Sequence, residues 1–420
     1  MRTRSADPLG RRSSHRYLKR KACLTVTKQR VFDQQIVKQG RGKIRWAERH
    51  MRLLGLLREQ FAQTKPFAGL TIGICLHIEP KTAVLCHVLK AGGADLVITG
   101  NRGTTQDDVA AALQTAGFAV FGSHDDDSGK HIENIRKVLQ HRPHLLLDNG
   151  ADLVFALLED VSQSRVFGGT EETTTGANRL REELGGKLLF PVIVINDSPL
   201  KLIMENEHGV GLTIVEGFMR STNLLVPAKR FVVFGYGSVG RGIARSLRAL
   251  HGRVIVVESD PIRALEAALD GMQVRTAAQA FIAGEVFITA TGRPFVISAA
   301  DLEELPDGAI LINAGHFSWE IDVAELRQRA ISADTVTETV EVFNLPNGKQ
   351  VTLLAGGEML NLAAGGGNPV ETMDLGLALQ AQSLRYIAEH HKDLSHEPQP
   401  VPREINIDVA RTMVELLSRG

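Results

Sequence analysis

Short apolar runs alternate with helical patterns along most of the chain. The runs predict strands at residues 70–76, 95–99, 118–121, 145–147 and 192–195, and then at 231–234, 254–257, 286–289 and 310–313. Apolar positions at helical spacing predict an amphipathic helix over 43–63 and further helices over 82–90, 106–116, 241–251, 372–388 and 408–417. Strands that alternate with helices are typical of parallel α/β sheets. We therefore expect an α/β protein with two doubly wound parallel-sheet (Rossmann-like) domains and a C-terminal helical segment.

Changes in composition divide this chain into segments. Residues 1–40 are rich in arginine, lysine and serine, so we expect a basic, disordered tail there. A misplaced start site and a partner-binding arm are the alternatives. A first α/β domain is expected over 41–213, completed by about 368–400, and a second over 214–367. Residues 401–420 are expected to form a C-terminal helix.

Composition narrows the class of protein. Of 420 residues, 43% are hydrophobic and 23% are charged, with 48 basic against 48 acidic side chains. This balance argues against a nucleic-acid-binding protein. The three cysteines have no CxxC spacing, so neither a disulfide scaffold nor a metal site is expected. Since no apolar run is long enough to cross a membrane, we expect a soluble, cytoplasmic protein.

One glycine motif has the context of a dinucleotide site. The run Gly235-Tyr236-Gly237-Ser238-Val239-Gly240 follows a predicted strand and opens a predicted helix. Gly235 permits the tight turn, Gly237 lets the backbone approach a pyrophosphate, and Gly240 lets helix and strand pack closely. Glu258 ends the next strand and would bind the adenosine ribose, which favours NAD over NADP, although Arg263 would soften that preference. The alternative is a structural turn in an ordinary βαβ unit.

Further motifs identify a family. They are Cys75-Leu76-His77, Thr105-Gln106-Asp107, Glu171-Glu172-Thr173-Thr174-Thr175-Gly176, Asn196-Asp197-Ser198, Lys201, Asn206, Glu258-Ser259-Asp260-Pro261, Gly315-His316-Phe317, Glu320-Ile321-Asp322 and Asn361-Leu362. From about Arg45 to Leu417 the sequence therefore resembles the adenosylhomocysteinase (S-adenosylhomocysteine hydrolase) family. The resemblance implies that NAD is held between a substrate domain, 41–213, and an NAD domain, 214–367.

The resemblance also implies a reaction. Members of this family oxidise the 3′-hydroxyl of a bound nucleoside, which acidifies the C4′ hydrogen. Loss of that proton expels the 5′ substituent, water adds to the resulting enone, and the ketone is reduced back. The cofactor is therefore unchanged after each turnover.

Residue roles follow from positions in the family motifs. Lys201 is expected to help take the 3′-hydroxyl proton, provided that burial and neighbours lower its pKa. Glu172 is expected to accept a hydrogen bond from the ribose. His77 and His316 are expected to flank the 5′ carbon and the ribose, and the alternative for each is a structural histidine. The expected cofactor contacts are Thr173, Thr174, Thr175, Asn206, Asn313, Gly315, His316 and Asn361, and Thr173 is also expected at the substrate.

The residues expected at the base differ from the family pattern. Glu79 and Lys81 stand where the family has Thr and Glu, and Asn368 replaces the His of its MGHP turn. Together with Met373, these are the expected base-recognition residues of a rebuilt pocket.

Two positions near the reaction differ as well. Asn149 stands where the family has an Asp implicated in proton transfer to the leaving group and from water, and an amide cannot shuttle a proton at neutral pH. Glu205 replaces the Asp that supports Lys201 and keeps its charge. The chain also ends without the Lys and Tyr by which the family's tail reaches a neighbour's NAD site. We expect a homo-oligomer, a dimer or a tetramer, with weaker NAD retention or altered assembly.

These departures favour an NAD-dependent enzyme of the family that acts on another nucleoside. It would carry out transient 3′-oxidation, C4′ deprotonation and elimination of the 5′ substituent, and would then reduce the ketone without adding water. Such an enzyme would be a lyase or dehydratase of specialised metabolism such as nucleoside antibiotic assembly. The first alternative is a genuine S-adenosylhomocysteine hydrolase. The second is a catalytically inactive NAD-binding regulator that uses the basic tail, which the retained Lys201, Glu172 and His77 argue against.

Overall fold

The computed structural model describes residues 33–162, 164–315 and 318–418. The strands are β1 Thr71–Cys75, β2 Asp95–Thr99, β3 Ala119–Phe121, β4 Leu145–Asp148, β5 Gly168–Glu171, β6 Val192–Val194, β7 Arg230–Phe234, β8 Arg253–Val257, β9 Gln273–Val274, β10 Val286–Thr289, β11 Ala309–Asn313, β12 Ser332–Thr337, β13 Val340–Asn344, β14 Gln350–Leu354 and β15 Pro398–Pro400. The helices are α1 Gln34–His50, α2 Arg52–Thr64, α3 Pro80–Ala91, α4 Asp107–Thr115, α5 Ser128–Gln140, α6 Asp152–Glu159, α7 Thr174–Glu182, α8 Pro199–Lys201, α9 Gly211–Thr222, α10 Ser238–Ala249, α11 Pro261–Leu269, α12 Ala277–Ala283, α13 Asp301–Glu304, α14 Val323–Arg329, α15 Leu360–Ala363, α16 Val370–His390 and α17 Arg403–Ser418. A π-helical stretch, Leu202–Val210, joins α8 to α9.

Two sheets organise these elements. The first has the order β15-β6-β5-β4-β1-β2-β3 and is parallel throughout. The second has the order β12-β13-β14-β11-β10-β7-β8-β9, and it is parallel except at β12 and β13. The predicted fold class is confirmed. Strand order reverses between β1 and β4 in the first sheet and between β7 and β10 in the second, and ligands of α/β sheets bind at such switch points.

The first domain begins earlier than the sequence indicated. Helix α1 starts at Gln34, inside the stretch predicted as a tail, and Val37 and Gly40 are buried in it. A Cβ atom on Gly40 would clash with the backbone of Asp108 in α4, so the two helices touch here. Residues 34–40 therefore pack against this domain, while residues 1–32 of the predicted tail lie outside the described residues.

The helix predicted over 43–63 is in fact two helices. The chain leaves helical conformation at Met51, and Asp374 of α16 accepts hydrogen bonds from the backbone N–H groups of Leu53 and Leu54, both at 2.8 Å. A carboxylate in this position satisfies the free N–H groups of the new helix start. Because Asp374 lies 321 residues further along the chain than Leu53, no local pattern indicates the break.

Strand β5 of the first sheet was not predicted. Its sequence, Gly-Gly-Thr-Glu, lacks the apolar pattern of a buried strand. The missing side chain of Gly168 lets Ile387 of α16 come close, since a Cβ atom there would clash with that isoleucine. A helix from the C-terminal part of the chain therefore covers a strand of small residues.

No helix in these three described stretches combines the length and the apolar character that a membrane span requires.

The contact of α10 with the π-helical stretch depends on Gly242, where a Cβ atom would clash with the carbonyl group of Glu207. We expect Gly242→Ala to lower the free energy of unfolding by about 1–3 kcal/mol, measured by urea denaturation, because the helices must separate. The control is Gly55→Ala in α2, where a Cβ atom meets no atom within 4 Å; it should be neutral or stabilise by up to about 1 kcal/mol. Equal effects of the two changes would contradict the packing argument.

Candidate active site

A buried ion pair lies on the long helix that joins the two domains. Lys201 ends α8, Glu205 follows one turn later, and Nζ lies 2.7 Å from Oε1, with side chains 5% and 8% exposed. Burial by itself lowers the pKa of Lys201, but the charges of Glu205 and Glu172 outweigh it, so the pKa is raised overall. Burial also raises the pKa of Glu205, against the opposing charge of Lys201. The lowered pKa expected for Lys201 is therefore not found.

Two adjacent strand ends place Asn149 against Glu172. Asn149 follows β4 and Glu172 follows β5, and Nδ2 of Asn149 donates to Oε2 of Glu172 at 2.8 Å. Both side chains are buried. Within the described residues, Oδ1 of Asn149 is buried without a partner, so it can accept a hydrogen bond from a ligand. An aspartate here would put two carboxyl groups at this distance, which would have to share a proton.

Two buried carboxyl groups hold these strand ends in place. Glu171 accepts hydrogen bonds from the backbone N–H groups of Gly150, Ala151 and Thr173 at 2.8–3.0 Å. Asp148 accepts two more, from Asn149 in the turn after β4 and from Val154 in the first turn of α6. Burial raises the pKa of both groups, that of Glu171 to about 7. Hydrogen bonds to these two buried carboxyl groups therefore fix the backbone that follows β4 and β5.

His77 lies just beyond the end of β1, beside the switch point. Its Nδ1 is 2.8 Å from the hydroxyl oxygen of Thr104. Burial, helped by the charges of Lys81 and Lys201, lowers the pKa of His77 to about 4. The ring is therefore neutral at neutral pH, and with Nδ1 bound to Thr104 its Nε2 is the nitrogen available to a ligand.

The expected base-recognition residues point in different directions. Lys81 Nζ donates to two backbone carbonyl groups, including that of Asn368 at 2.9 Å, and lies 3.0 Å from Glu79 Oε2. The side-chain Nδ2 of Asn368 lies 3.3 Å from Glu205 Oε1 and 3.7 Å from Met373 Sδ. Lys81 thus contacts the segment that connects the two domains, and Asn368 contacts the ion pair. Of the expected base-recognition residues, Glu79 is left as the charged group that can accept a hydrogen bond from a base.

The threonine run after β5 joins the π-helical stretch through Asn196. Thr173 caps α7 by accepting from a backbone N–H group of its first turn at 3.0 Å. Asn196 Nδ2 donates to Thr174 Oγ1 at 2.6 Å, and Asn206 Nδ2 donates to Asn196 Oδ1 at 3.2 Å. Thr175 lies in the first turn of α7. The structure thus brings Thr174 and Asn206 together.

The glycine turn after β7 fits a dinucleotide. Gly235 has a φ of 94°, and a Cβ atom on Gly240 would clash with the Gly235 carbonyl group. Gly237 faces open space apart from one guanidinium group at 3.7 Å from an added Cβ atom. Ser238 and Val239 then open α10, whose free N–H groups attract a diphosphate.

Glu258 directly follows β8, and backbone hydrogen bonds fix the position of its carboxylate. Its two carboxylate oxygens accept from the backbone N–H groups of Tyr236, at 2.6 Å, and of Asp260, at 2.9 Å. The guanidinium group that faces Gly237 belongs to Arg263, which lies 3.7 Å from Asp260. A fixed anion beside an open backbone turn suits the adenosine ribose of NAD.

The remaining expected cofactor residues differ in what their side chains can bind. The amide of Asn313 accepts from the backbone of Gly315 and from a threonine hydroxyl, and donates to two backbone carbonyl groups, so it shapes the end of β11. Asn361 donates to Thr213 at 3.2 Å, and its Oδ1 is buried without a partner in the described part of the chain, as a cofactor contact requires. His316 lies outside the described residues.

Two family models match this chain. That of S-adenosyl-L-homocysteine hydrolase covers residues 28–167, and that of its NAD binding domain covers 206–367. An adenosylhomocysteinase of Sulfurisphaera tokodaii is 44% identical over 384 residues, which are 91% of this chain and 92% of that protein. The chain belongs to the S-adenosyl-L-homocysteine hydrolase family. It is an NAD-dependent enzyme.

Two further relatives differ in name. An S-inosyl-L-homocysteine hydrolase of Methanopyrus kandleri is 43% identical over 391 residues, 92% of each chain. An adenosylhomocysteinase of Saccharolobus solfataricus is 42% identical over 395 residues, 93% of this chain and 94% of that protein. Relatives of almost equal similarity thus carry names with two different purine bases.

Several supporting residues were given no role from sequence. Glu171 and Glu320 stand in the family motifs, and Asp148 and Glu171 end strands, which are the signals that could have indicated them. Glu320 is buried and accepts from the backbone N–H groups of Thr291 and Gly292 at 2.9 and 2.8 Å, which fixes the turn after β10. Thr104 lies in a loop, and nothing local connects it with His77.

Loss of the Glu258 carboxylate should weaken NAD binding. We expect Glu258→Ala to reduce NAD affinity about 10- to 100-fold, the effect of losing a charge-assisted hydrogen bond. NADP should lose less, because the anion that repels its 2′-phosphate is gone. Calorimetric titration of nucleotide-free protein measures both affinities. The control is Glu285→Ala, which directly precedes β10 at the amino end of the strand, whereas Glu258 lies at the carboxyl end of β8. Equal losses for the two nucleotides would contradict the assignment.

The neutral state of His77 predicts a pH dependence of stability. Its pKa of about 4 lies below the value of 6.5 for an unperturbed imidazole, so the unfolded chain binds the extra proton between these pH values. The wild type should lose stability as pH falls from 6.5 towards 4, by up to about 1.4 kcal/mol per pH unit from this group. His77→Gln should lack that part of the slope in urea denaturation, whereas His124→Gln, at an exposed site, should keep it. A difference between wild type and His77→Gln that is constant with pH would contradict a neutral ring in the folded protein.

Proposed function

We propose that this enzyme hydrolyses S-purine-nucleosyl-L-homocysteines to the nucleoside and L-homocysteine. The names of the relatives support hydrolysis, and they give no support to a lyase, a dehydratase or a role in antibiotic assembly. The observation that carries the proposal is the buried Lys201–Glu205 pair, at 2.7 Å, in one site with Glu172, Asn149 and His77.

The ion pair handles the 3′-hydroxyl proton. NAD, when bound, supplies the hydride acceptor for oxidation at C3′. The pKa of Lys201 is raised, so its ammonium group stays charged. The pKa of Glu205 is also raised, so its carboxylate accepts a proton more readily than an exposed carboxylate does. The two side chains therefore act as one unit, with Lys201 orienting the hydroxyl and the pair taking its proton.

Glu172 orients the ribose. Its Oε2 is held by Asn149, so the carboxylate keeps one direction from which it accepts hydrogen bonds of ribose hydroxyl groups. Asn149 and Glu172 follow neighbouring strands that Asp148 and Glu171 fix through the backbone. The ribose thus meets a rigid acceptor.

The second half of the reaction needs a proton carrier at the 5′ carbon. His77 is neutral at neutral pH, so Nε2 can take a proton from the water that adds to the enone and pass that proton to the homocysteine thiolate expelled in the preceding step. Asn149 keeps an unpartnered Oδ1 with which to orient that water. Water addition therefore does not depend on an aspartate at position 149.

Glu79 is the residue proposed to read the base. Its side chain is 13% exposed and paired with Lys81, and desolvation raises its pKa, while the charge of Lys81 opposes the rise. A carboxylate oxygen accepts equally well from the amino group of adenine and from the N1–H of hypoxanthine. S-adenosyl- and S-inosyl-L-homocysteine are therefore both candidate substrates.

Release of the thiol from both compounds tests the proposal. The NAD-loaded enzyme should release L-homocysteine and the saturated nucleoside from at least one of them. Lys201→Met should reduce the rate by at least about 10³-fold, because the proton-handling unit is lost. Lys65→Met, at an exposed lysine in the same domain, is the control. Accumulation of a 4′,5′-unsaturated nucleoside would indicate the lyase instead, and no turnover of either compound would contradict the proposal.

A further inference from the structure

Lys81 occupies a position that is unfavourable for a positive charge. It is the second residue of α3 and is 5% exposed. A helix N-terminus disfavours a cation, and a buried ammonium ion costs free energy unless it is fully paired. Such a residue is tolerated only where its partners compensate the charge.

The partners of Lys81 use all of its donors. Nζ lies 3.0 Å from Glu79 Oε2, 3.0 Å from the carbonyl oxygen of Gly366 and 2.9 Å from that of Asn368. An ammonium group has three N–H bonds, so these three acceptors saturate it. Lys81 therefore has no donor left for a purine base.

Two of these acceptors belong to the connector, residues 364–369, which leads from α15 in the NAD domain back to α16 in the substrate domain. Residues 365–367 of the connector are all glycine. Gly367 has a φ of 69°, in the left-handed region, and the carbonyl groups on either side of it both reach Nζ of Lys81. The three glycines have no side chains to pack, so the segment is held through its backbone: Gly367 N–H donates to the Asn361 carbonyl group at 3.0 Å, and the Lys81 ammonium group binds the carbonyl groups on either side of Gly367.

The end of the connector touches the ion pair. Asn368 Nδ2 lies 3.3 Å from Glu205 Oε1, and Asn368 Oδ1 accepts from Asn361 Nδ2 at 3.2 Å. Glu205 Oε1 in turn accepts from Lys201. One continuous polar network thus runs from Glu79, in the base pocket, to Lys201.

We propose that Lys81 is a positioning residue, which ties the base pocket to the connector and so sets Asn368 against the Lys201–Glu205 pair. It acts through Asn368 and does not contact the base. This inference rests on the proposed function, because it concerns the same site. It predicts that loss of the ammonium group loosens the connector and slows oxidation more than it weakens nucleoside binding.

The test compares Lys81→Met with Lys65→Met in the NAD-loaded enzyme. Lys65 also donates to a backbone carbonyl group, that of Ala91 at 2.8 Å, but lies outside the network. Hydrogen exchange of residues 361–369 should become about tenfold faster in Lys81→Met alone. Its kcat for the preferred nucleosyl-homocysteine should fall about 100-fold with a smaller change in KM, since the reacting groups are misplaced. In Lys81→Ala, whose cavity has room for it, added propylammonium should restore part of kcat.

Two results would overturn the inference. A raised KM with kcat and exchange unchanged would make Lys81 a base-binding residue, and a lower kcat with unchanged exchange would place its effect elsewhere. If Lys81→Met does not fold, Asn368→Ala cuts the network at its other end, and it should lower kcat while the affinity for the nucleoside, measured by calorimetry, is kept. Exchange needs no substrate, so it still tests Lys81 if the wild type turns over neither compound and the proposed function fails.

Discussion

The ammonium group of Lys201 is buried, and its positive charge is compensated by the groups that surround it. Glu205 pairs with it directly, Glu172 adds a second negative charge, and Asn368 donates to the same Glu205 oxygen. Removing one partner of such a pair leaves an uncompensated buried charge, which costs about 3–5 kcal/mol. The constraint binds the two domains to each other, because the helix that carries the pair and the connector that carries Asn368 are both routes by which the chain crosses between them.

The fold meets this constraint with two switch points that supply different parts of the reaction. In the substrate domain, β1 and β4 bring His77 and Asn149 to one edge, and the neighbouring β5 adds Glu172. Backbone N–H groups that bind buried carboxylates make this edge rigid before any ligand arrives. In the NAD domain, the turn after β7 and the end of β8 present an open backbone and a fixed carboxylate. Rigid strand ends on both sides leave the connector as the segment whose position must be set by a side chain.

Local features were readable from the sequence, and features built across the chain were not. The alternation of strands and helices and the glycine turn depend on neighbouring residues, so pattern alone indicates them. The helix break at Met51 depends on Asp374, and β5 depends on the closeness of Ile387, both far along the chain. The direction in which the pKa of Lys201 shifts depends on burial and on the charges of both Glu205 and Glu172. The use of all three donors of Lys81 depends on the path of the connector. A family motif predicts where a residue lies in the site. The partners of that residue in the folded chain determine its protonation state and which groups it can bind.

Deuterium incorporation at C4′ tests the central claim, which is that Lys201 and Glu205 enable transient oxidation at C3′. The NAD-loaded enzyme is incubated in D₂O with S-adenosyl- or S-inosyl-L-homocysteine, and recovered substrate and nucleoside are read by mass spectrometry. We expect one deuterium at C4′ in the wild type and none above background in Lys201→Met. Release of homocysteine without deuterium at C4′ would contradict it, because hydrolysis would then proceed without the oxidised intermediate.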